Sequence, residues 1–316
     1  MAKMNNTSSP TSINGVTLGT ALVTGSWAAR PGTGDDSLGL DDPSDGDWFR
    51  VSGSTYGLRA SYRYSSTVGE WVRPELYSGS PTVLTRIRGS VLPSAEDAAW
   101  GQYTSNGGAI TTDGTKVTFD GADAANETAY AYFDHNIVGG SSAKYHFMQG
   151  LVQCVATGTP GGHHQGRAIR IDSYTDLGGY HQHKRHVLVL DTNAPTASMN
   201  YRDHYGLEGG ITANKNYGTV FDPTDPTNDA TTAEAYVEFY VGPSGSWVWM
   251  NHNTTPTMAA RFITMTNATT DYYIIGNWAS WGFDEVGSIT VRESFWGTFT
   301  PVANESHVTP GPGGGS

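Results

Sequence analysis

"EAYVEFYVGPSGSWVWMN", residues 234–251, holds two apolar runs joined by a short Pro-Ser-Gly turn text. In the first run Ala235, Val237, Phe239 and Val241 alternate with Glu234, Tyr236, Glu238 and Tyr240. Side chains on a strand point to opposite faces in turn, so this period of two predicts a β-strand. Its apolar residues make a core face, and its tyrosines and glutamates line the other. The second run, residues 246–251, places Trp247, Trp249 and Asn251 together by the same rule.

The same kind of text extends outward in both directions. "KVTFD", "TAYAYFD", "KYHFMQGLVQCVA", "RAIRID", "RHVLVLD", "ARFITMT", "DYYIIG" and "SITVRES" follow one another between residues 105 and 303, with Gly, Asn, Asp and Pro between them. No helical period alternates with these runs, which excludes a parallel α/β sheet and predicts an antiparallel β-sandwich. One segment reads as helix: "LPSAEDAAWGQY", residues 92–103, where Ser94 is placed to cap and Gly101 to stop it. Before it, "DWFRV", "YGLRASYRY" and "EWVRPELY" are strand-like pieces set in acidic turn text. The expected organisation is a flexible arm over 1–14, a small β module over 15–94, a β-sandwich over 95–305 and a flexible tail over 306–316. The fold class is all-β.

Composition narrows the partners. The 316 residues carry 18 Lys and Arg against 30 Asp and Glu, a formal charge of −12. Such a surface repels phosphate backbones, so nucleic acid is not an expected partner. No apolar run is long enough for a membrane span. The N-terminal text lacks the apolar segment of a secretory signal, so synthesis in a cytoplasm is expected. Nine Trp, 17 Tyr and ten Phe supply large buried areas for a core. Cys154 is the single cysteine, which rules out an intrachain disulfide, and it reads as a buried, inert thiol. The acidic cluster Asp41, Asp42, Asp45 and Asp47 fails as a calcium loop, with Pro43 and Ser52 where ligands are needed.

Two resemblances follow from particular residues. Pro31-Gly32, Gly46-Asp47-Trp48, Tyr62-Arg63-Tyr64 and Trp71-Val72 resemble the small β modules near the N-termini of bacteriophage fibre and spike proteins. Gly242, Trp247, Asn251, Gly287 and Val291 follow the order seen in concanavalin-like or laminin-G-like sandwiches, which implies a jelly-roll architecture. The Glu-x-Asp-x-Glu strand of the glucanases of that fold is missing.

"GGYHQHKRHVLVLD", residues 178–191, raises a metal reading. His181 and His183 share a strand face roughly 7 Å apart, as in cupin-like barrels, and His163 could complete a set. The carboxylate such a site needs is absent from positions 187–190, and Arg185 would stand on the ligand face. The expectation is therefore no metal and no cofactor, with His181, His183 and His163 as the alternative.

Aromatic and amide-rich faces suit saccharides: flat rings cover the apolar faces of sugars, and amides and carboxylates bond their hydroxyls. Tyr236, Glu238, Tyr240, Trp247, Trp249 and Asn251 are the expected glycan contacts. "KYHFMQGLVQ" adds Tyr145, Phe147, Gln149 and Gln153, and "TAYAYFD" adds Tyr130, Tyr132 and Asp134. A packing or subunit interface is the alternative for each of these faces. Glu234 and Glu238 lie about 13 Å apart on one strand, too far for a glycosidase pair, which needs roughly 5 to 9.5 Å. No catalytic residues are assigned. The expected function is that of a phage virion protein (fibre, spike or head-decoration subunit), a homo-oligomer with a trimer favoured. Its partners are other virion proteins and host surface polysaccharide. A virion-associated polysaccharide depolymerase, a purely structural capsid or tail subunit, and a cupin-like metalloenzyme stand beside that reading.

Overall fold

The computed structural model describes residues 12–13, 16–17, 22–25, 27, 30, 43–51, 60–73, 77–78, 81–121, 128–134, 145–156, 167–176, 181–193, 196–207, 210–216, 234–242, 245–250, 252, 258–261, 270–277 and 287–301. Two compact units are present. The first gathers Met1–Pro81, His252–Thr254 and Thr300–Ala303; the second gathers Thr82–Asn251, Thr255–Phe299 and Asn304–Ser316.

In the first unit, β1 (Ser12–Ile13) and β2 (Val16–Thr17) form a short antiparallel pair. Then β3 (Leu22–Gly25), β4 (Trp48–Val51), β5 (Ser61–Ser65) and β6 (Glu70–Val72) make a four-stranded sheet in chain order. The β3–β4 pair is parallel and the others antiparallel. The fibre-like text does structural work here. Gly46 takes a left-handed φ of 89° in the turn, a conformation glycine adopts without steric cost. Asp47 Oδ2 accepts the Ser44 N–H at 2.8 Å, and Asp45 Oδ1 accepts both the N–H and the hydroxyl of Ser66. The acidic cluster thus serves the turns, as far as it is described. Tyr62 and Trp71 are buried with Phe49, and Trp27 packs at 4.7 Å from the Tyr62 ring. His252, at φ 63°, completes this cluster with Nδ1 2.8 Å from the Tyr62 hydroxyl, which also accepts from the buried Arg73.

The second unit contains β7 (Thr82–Arg88), α1 (Pro93–Glu96), β8 (Trp100–Ser105), β9 (Ala109–Thr112), β10 (Val117–Gly121), β11 (Thr128–Asp134) and β12 (His146–Ala156). It continues with β13 (Arg167–Asp176), β14 (His181–Asn193), β15 (Thr196–Leu207), β16 (Gly210–Asn216), β17 (Ala235–Gly242), β18 (Gly245–Met250), β19 (Met258–Arg261), β20 (Thr270–Asn277) and β21 (Gly287–Thr298). The first sheet runs β19-β18-β17-β12-β21-β10-β9, with β7 also on β21; the second runs β16-β15-β14-β13-β20-β11-β8. In the first, β21 lies between β10 and β12. In the second, β20 lies between β11 and β13. The chain therefore changes sheets at β7/β8, β8/β9, β10/β11, β11/β12, β12/β13, β16/β17, β19/β20 and β20/β21. That paired winding of two antiparallel sheets is a jelly-roll sandwich, and the all-β expectation is met.

The core lies between the sheets. Val237, Phe239 and Val241 of β17 share one buried cluster with Ala129, Ala131 and Phe133 of β11 and with Ile169, Ile171, Ile275, Ile289 and Val291. Trp296 is fully buried within it, 5.4 Å from the Tyr273 ring and 6.1 Å from Trp100. Its Nε1 donates to Ser294 Oγ at 3.0 Å, which satisfies the polar atom of the buried indole.

Two boundaries differ from the expectation. The compact units divide at Pro81/Thr82 rather than near residue 95, because β7 pairs with β21 and belongs to the sandwich. The expected helix shrinks to the single turn Pro93–Glu96, capped by Leu92 without a side-chain bond. The Ser94 hydroxyl donates to Gln102 Oε1 instead, and the text from Trp100 is strand. Pro93 at the first turn suits a helix start, but burial of Trp100 against the core favours the extended form beyond it.

Candidate functional site

Strand register brings four of the expected glycan residues, Tyr236, Glu238, Tyr240 and Trp249, onto one side of the sheet and buries them. Trp249, Glu238, Gln149 and Phe295 form one row across β18, β17, β12 and β21. Tyr240 stands opposite Phe147 in the next row. Gln149 Nε2 donates to Glu238 Oε1 at 2.9 Å and to the Tyr240 hydroxyl at 2.7 Å, which in turn lies 3.4 Å from the same carboxylate oxygen. Phe299 packs 5.7 Å from Tyr240 and 6.3 Å from Phe147, with Tyr145 5.4 Å from it. The exposures of Tyr236, Glu238, Tyr240 and Trp249 are 3%, 0%, 1% and 2%. This corrects the expectation of an open stacking face at those four residues. Trp247 lies opposite Tyr240 on the backbone ladder, while its side chain and Asn251 lie outside the described residues.

Glu234 is bound elsewhere. Arg292 Nε donates to both of its carboxylate oxygens at 2.9 Å, and that pairing first of all holds the guanidinium above its ordinary value. For the histidines, β14 sets His181 opposite Asp176 and His183 opposite Tyr174, and His163 lies outside the described residues. Among the described residues no group of three or more metal-ligating side chains comes together.

An open aromatic face lies on the other sheet. Tyr130, Tyr132 and Asp134 alternate with core residues along β11 and point away from the core. Tyr103 of β8 stands opposite Tyr130, and Tyr272 of β20 stands opposite Asp134. The rings follow one another: Tyr103 to Tyr130 at 5.3 Å, Tyr130 to Tyr132 at 6.1 Å, and Tyr132 to Tyr272 at 6.3 Å. Tyr103 is 48% exposed and Tyr132 37%; among the described residues these are the two large apolar side chains that are exposed. Partial burial, and then the neighbouring Asp134 carboxylate and its hydrogen bond, push the Tyr272 phenol above its ordinary value.

Tyr130, Tyr132 and Asp134 were legible as one face from alternation alone. Tyr103 and Tyr272 were not, and only the register reveals them. Tyr272 had a signal in "DYYIIG", where its neighbour Tyr273 takes the core side. The register also sets Asp172 of β13 opposite Tyr272, so Asp134 and Asp172 flank that tyrosine in backbone position.

No protein-family model matches the sequence, and no curated protein matches it. Among solved structures, the chain is similar to Rv0315, described as an immunostimulatory antigen and pseudo beta-1,3-glucanase of Mycobacterium tuberculosis. Identity is 9% over 69% of this chain and 99% of that one, with a TM-score of 0.41. It is also similar to the κ-carrageenase from Pseudoalteromonas carrageenovora in complex with an oligotetrasaccharide of κ-carrageenan (10% identity, 70% and 97% covered, TM-score 0.39). A third is the carbohydrate recognition domain of Emp47p (8% identity, 72% and 98% covered, TM-score 0.39). The likeness is one of strand arrangement and carries no residue role with it.

Proposed function

We propose that this chain is a glycan-binding β-sandwich protein and that the tyrosine face of β8, β11 and β20 is its binding surface. The observation that carries the reading is the exposure of Tyr103 and Tyr132 within a connected row of four tyrosines on adjacent strands. Exposed rings offer sugars an apolar platform, while the phenolic hydroxyls and Asp134 offer hydrogen bonds. The fibre-like text of the first unit supports display on a virion, with partners there and self-association about a cyclic axis, a trimer favoured. A glycan array probed with the purified protein tests the binding reading. Retention of a defined saccharide class supports it, and an empty array contradicts it. Copurification with intact phage particles tests the virion reading.

A second reading, polysaccharide depolymerase, draws on the placement of Asp134 and Asp172 about two strand spacings apart, roughly 9–10 Å between backbones. Inverting glycosidases hold their carboxyls roughly 6.5–9.5 Å apart. Release of reducing sugar from bacterial surface polysaccharide, lost in Asp134→Asn, would select this reading over simple binding.

A further inference from the structure

We infer that the tyrosine face takes a single soluble saccharide chain lying aslant across β8, β11 and β20, in contact with several successive sugar rings. The inference rests on the glycan-binding reading above and specifies its ligand. A chain end held in a pocket and the flat surface of a crystalline polymer are the two forms it excludes.

The extent of the face argues for a chain. Its two ends are fixed by register, Tyr103 beside Tyr130 and Tyr272 beside Asp134. Tyr130 and Asp134 are four residues apart on β11, about 13 Å, and their partners stand on opposite sides of that strand. The diagonal between Tyr103 and Tyr272 is therefore roughly 16 Å, the length of several sugar rings rather than one. β8 is the last strand of its sheet, so a chain can run off the Tyr103 end.

The angles between the rings argue for a soluble, twisted chain. Tyr103 and Tyr130 lie at 29° to each other, Tyr130 and Tyr132 at 53°, and Tyr132 and Tyr272 at 70°. No single plane passes through four rings so related. A crystalline polymer presents its sugars in one plane and would meet only part of this row. A free chain turns from one sugar to the next and can meet each ring in its own orientation.

The two ends also differ in chemistry. Tyr103 and Tyr130 supply stacked rings, whereas Asp134 and Tyr272 supply an acceptor carboxylate and a phenol. A carboxylate at the site, on a protein of charge −12, favours neutral chains over polyanions.

The test is calorimetric titration of the full chain with cellohexaose, laminarihexaose and chitohexaose, and with cellobiose, laminaribiose and chitobiose. Microcrystalline cellulose and chitin serve in a pull-down. The hexasaccharide of the recognised series should bind about tenfold or more tightly than its disaccharide. Tyr103→Ala should bring the hexasaccharide down to about the disaccharide's affinity and so close most of the gap between the two lengths. Asp134→Asn should weaken both alike, and neither powder should retain the protein. Thermal melts confirm that both variants fold. Equal affinity for the two lengths, or retention on a powder, overturns the inference and leaves glycan binding standing. Failure of all six saccharides and both powders, with an empty glycan array beside them, overturns the two together.

Discussion

The ring of Tyr132 lies against Gly101 of the neighbouring strand, so closely that a Cβ there would fall 2.2 Å from its Cζ atom. The glycine is what lets this tyrosine lie down across β8 while remaining open to solvent on its other side. The blocking atoms belong to the end of a side chain that can swing away, so the fold tolerates the added methyl. Gly101→Ala should change stability by no more than about 1 kcal/mol and yet weaken saccharide binding, because the displaced ring no longer continues the row. Urea melts and titration calorimetry on one sample separate the two effects. Unaltered binding would remove Tyr132 from the surface.

Tyr272 gives a pH signature. Its phenol is raised above its ordinary value of 10.0, first by burial and then by the Asp134 carboxylate. A raised value means the folded state favours the neutral phenol. The resulting stability is fully present below pH 10 and is lost as pH rises through the folded value. Tyrosine-labelled NMR titration should find the Tyr272 phenol ionising late, and Asp134→Asn should move it back only part of the way, since burial remains. A full return to the ordinary value would assign the whole effect to Asp134.

The buried row on the first sheet should respond as structure rather than as a binding surface. Gln149→Leu removes the amide donor to the Glu238 carboxylate, which is 0% exposed, and the amide donor to the Tyr240 hydroxyl, and should cost about 2–3 kcal/mol. Tyr240→Phe leaves the Gln149–Glu238 bond in place and should cost about 1 kcal/mol. Denaturant melts decide it: if Gln149→Leu is the milder change, the Glu238 carboxylate is hydrated and the face is open.

Trp296→Ala should cost about 3–5 kcal/mol, because the indole is fully buried between Tyr273 and Trp100 and leaves a cavity both sheets must bridge. A loss under about 1 kcal/mol in the same melts would contradict the placement of the core.

The sandwich was readable because the period of two in residues 234–241 is imposed by the backbone itself, and Val237, Phe239 and Val241 do face the core. The same pattern says nothing of what lies over the opposite face. There Phe147 and Phe295 come from β12 and β21, and Phe299 packs against Phe147 and Tyr240. Tyr236, Glu238 and Tyr240 therefore read as a surface and are interior. The open face was half legible, in Tyr130 and Tyr132. Its remainder was hidden because Tyr103 sits in text with helical caps and alanines, where the burial of Trp100 outweighs local propensity.

The double variant Tyr103→Ala/Tyr132→Ala tests the central claim most directly, by titration calorimetry with the best saccharide from the array. Both side chains are exposed, so the variant should melt within a degree or two of the wild type. The account predicts that it binds at least about a hundredfold more weakly, a loss of two stacking contacts. Undiminished binding by a folded double variant would contradict the assignment of the tyrosine face.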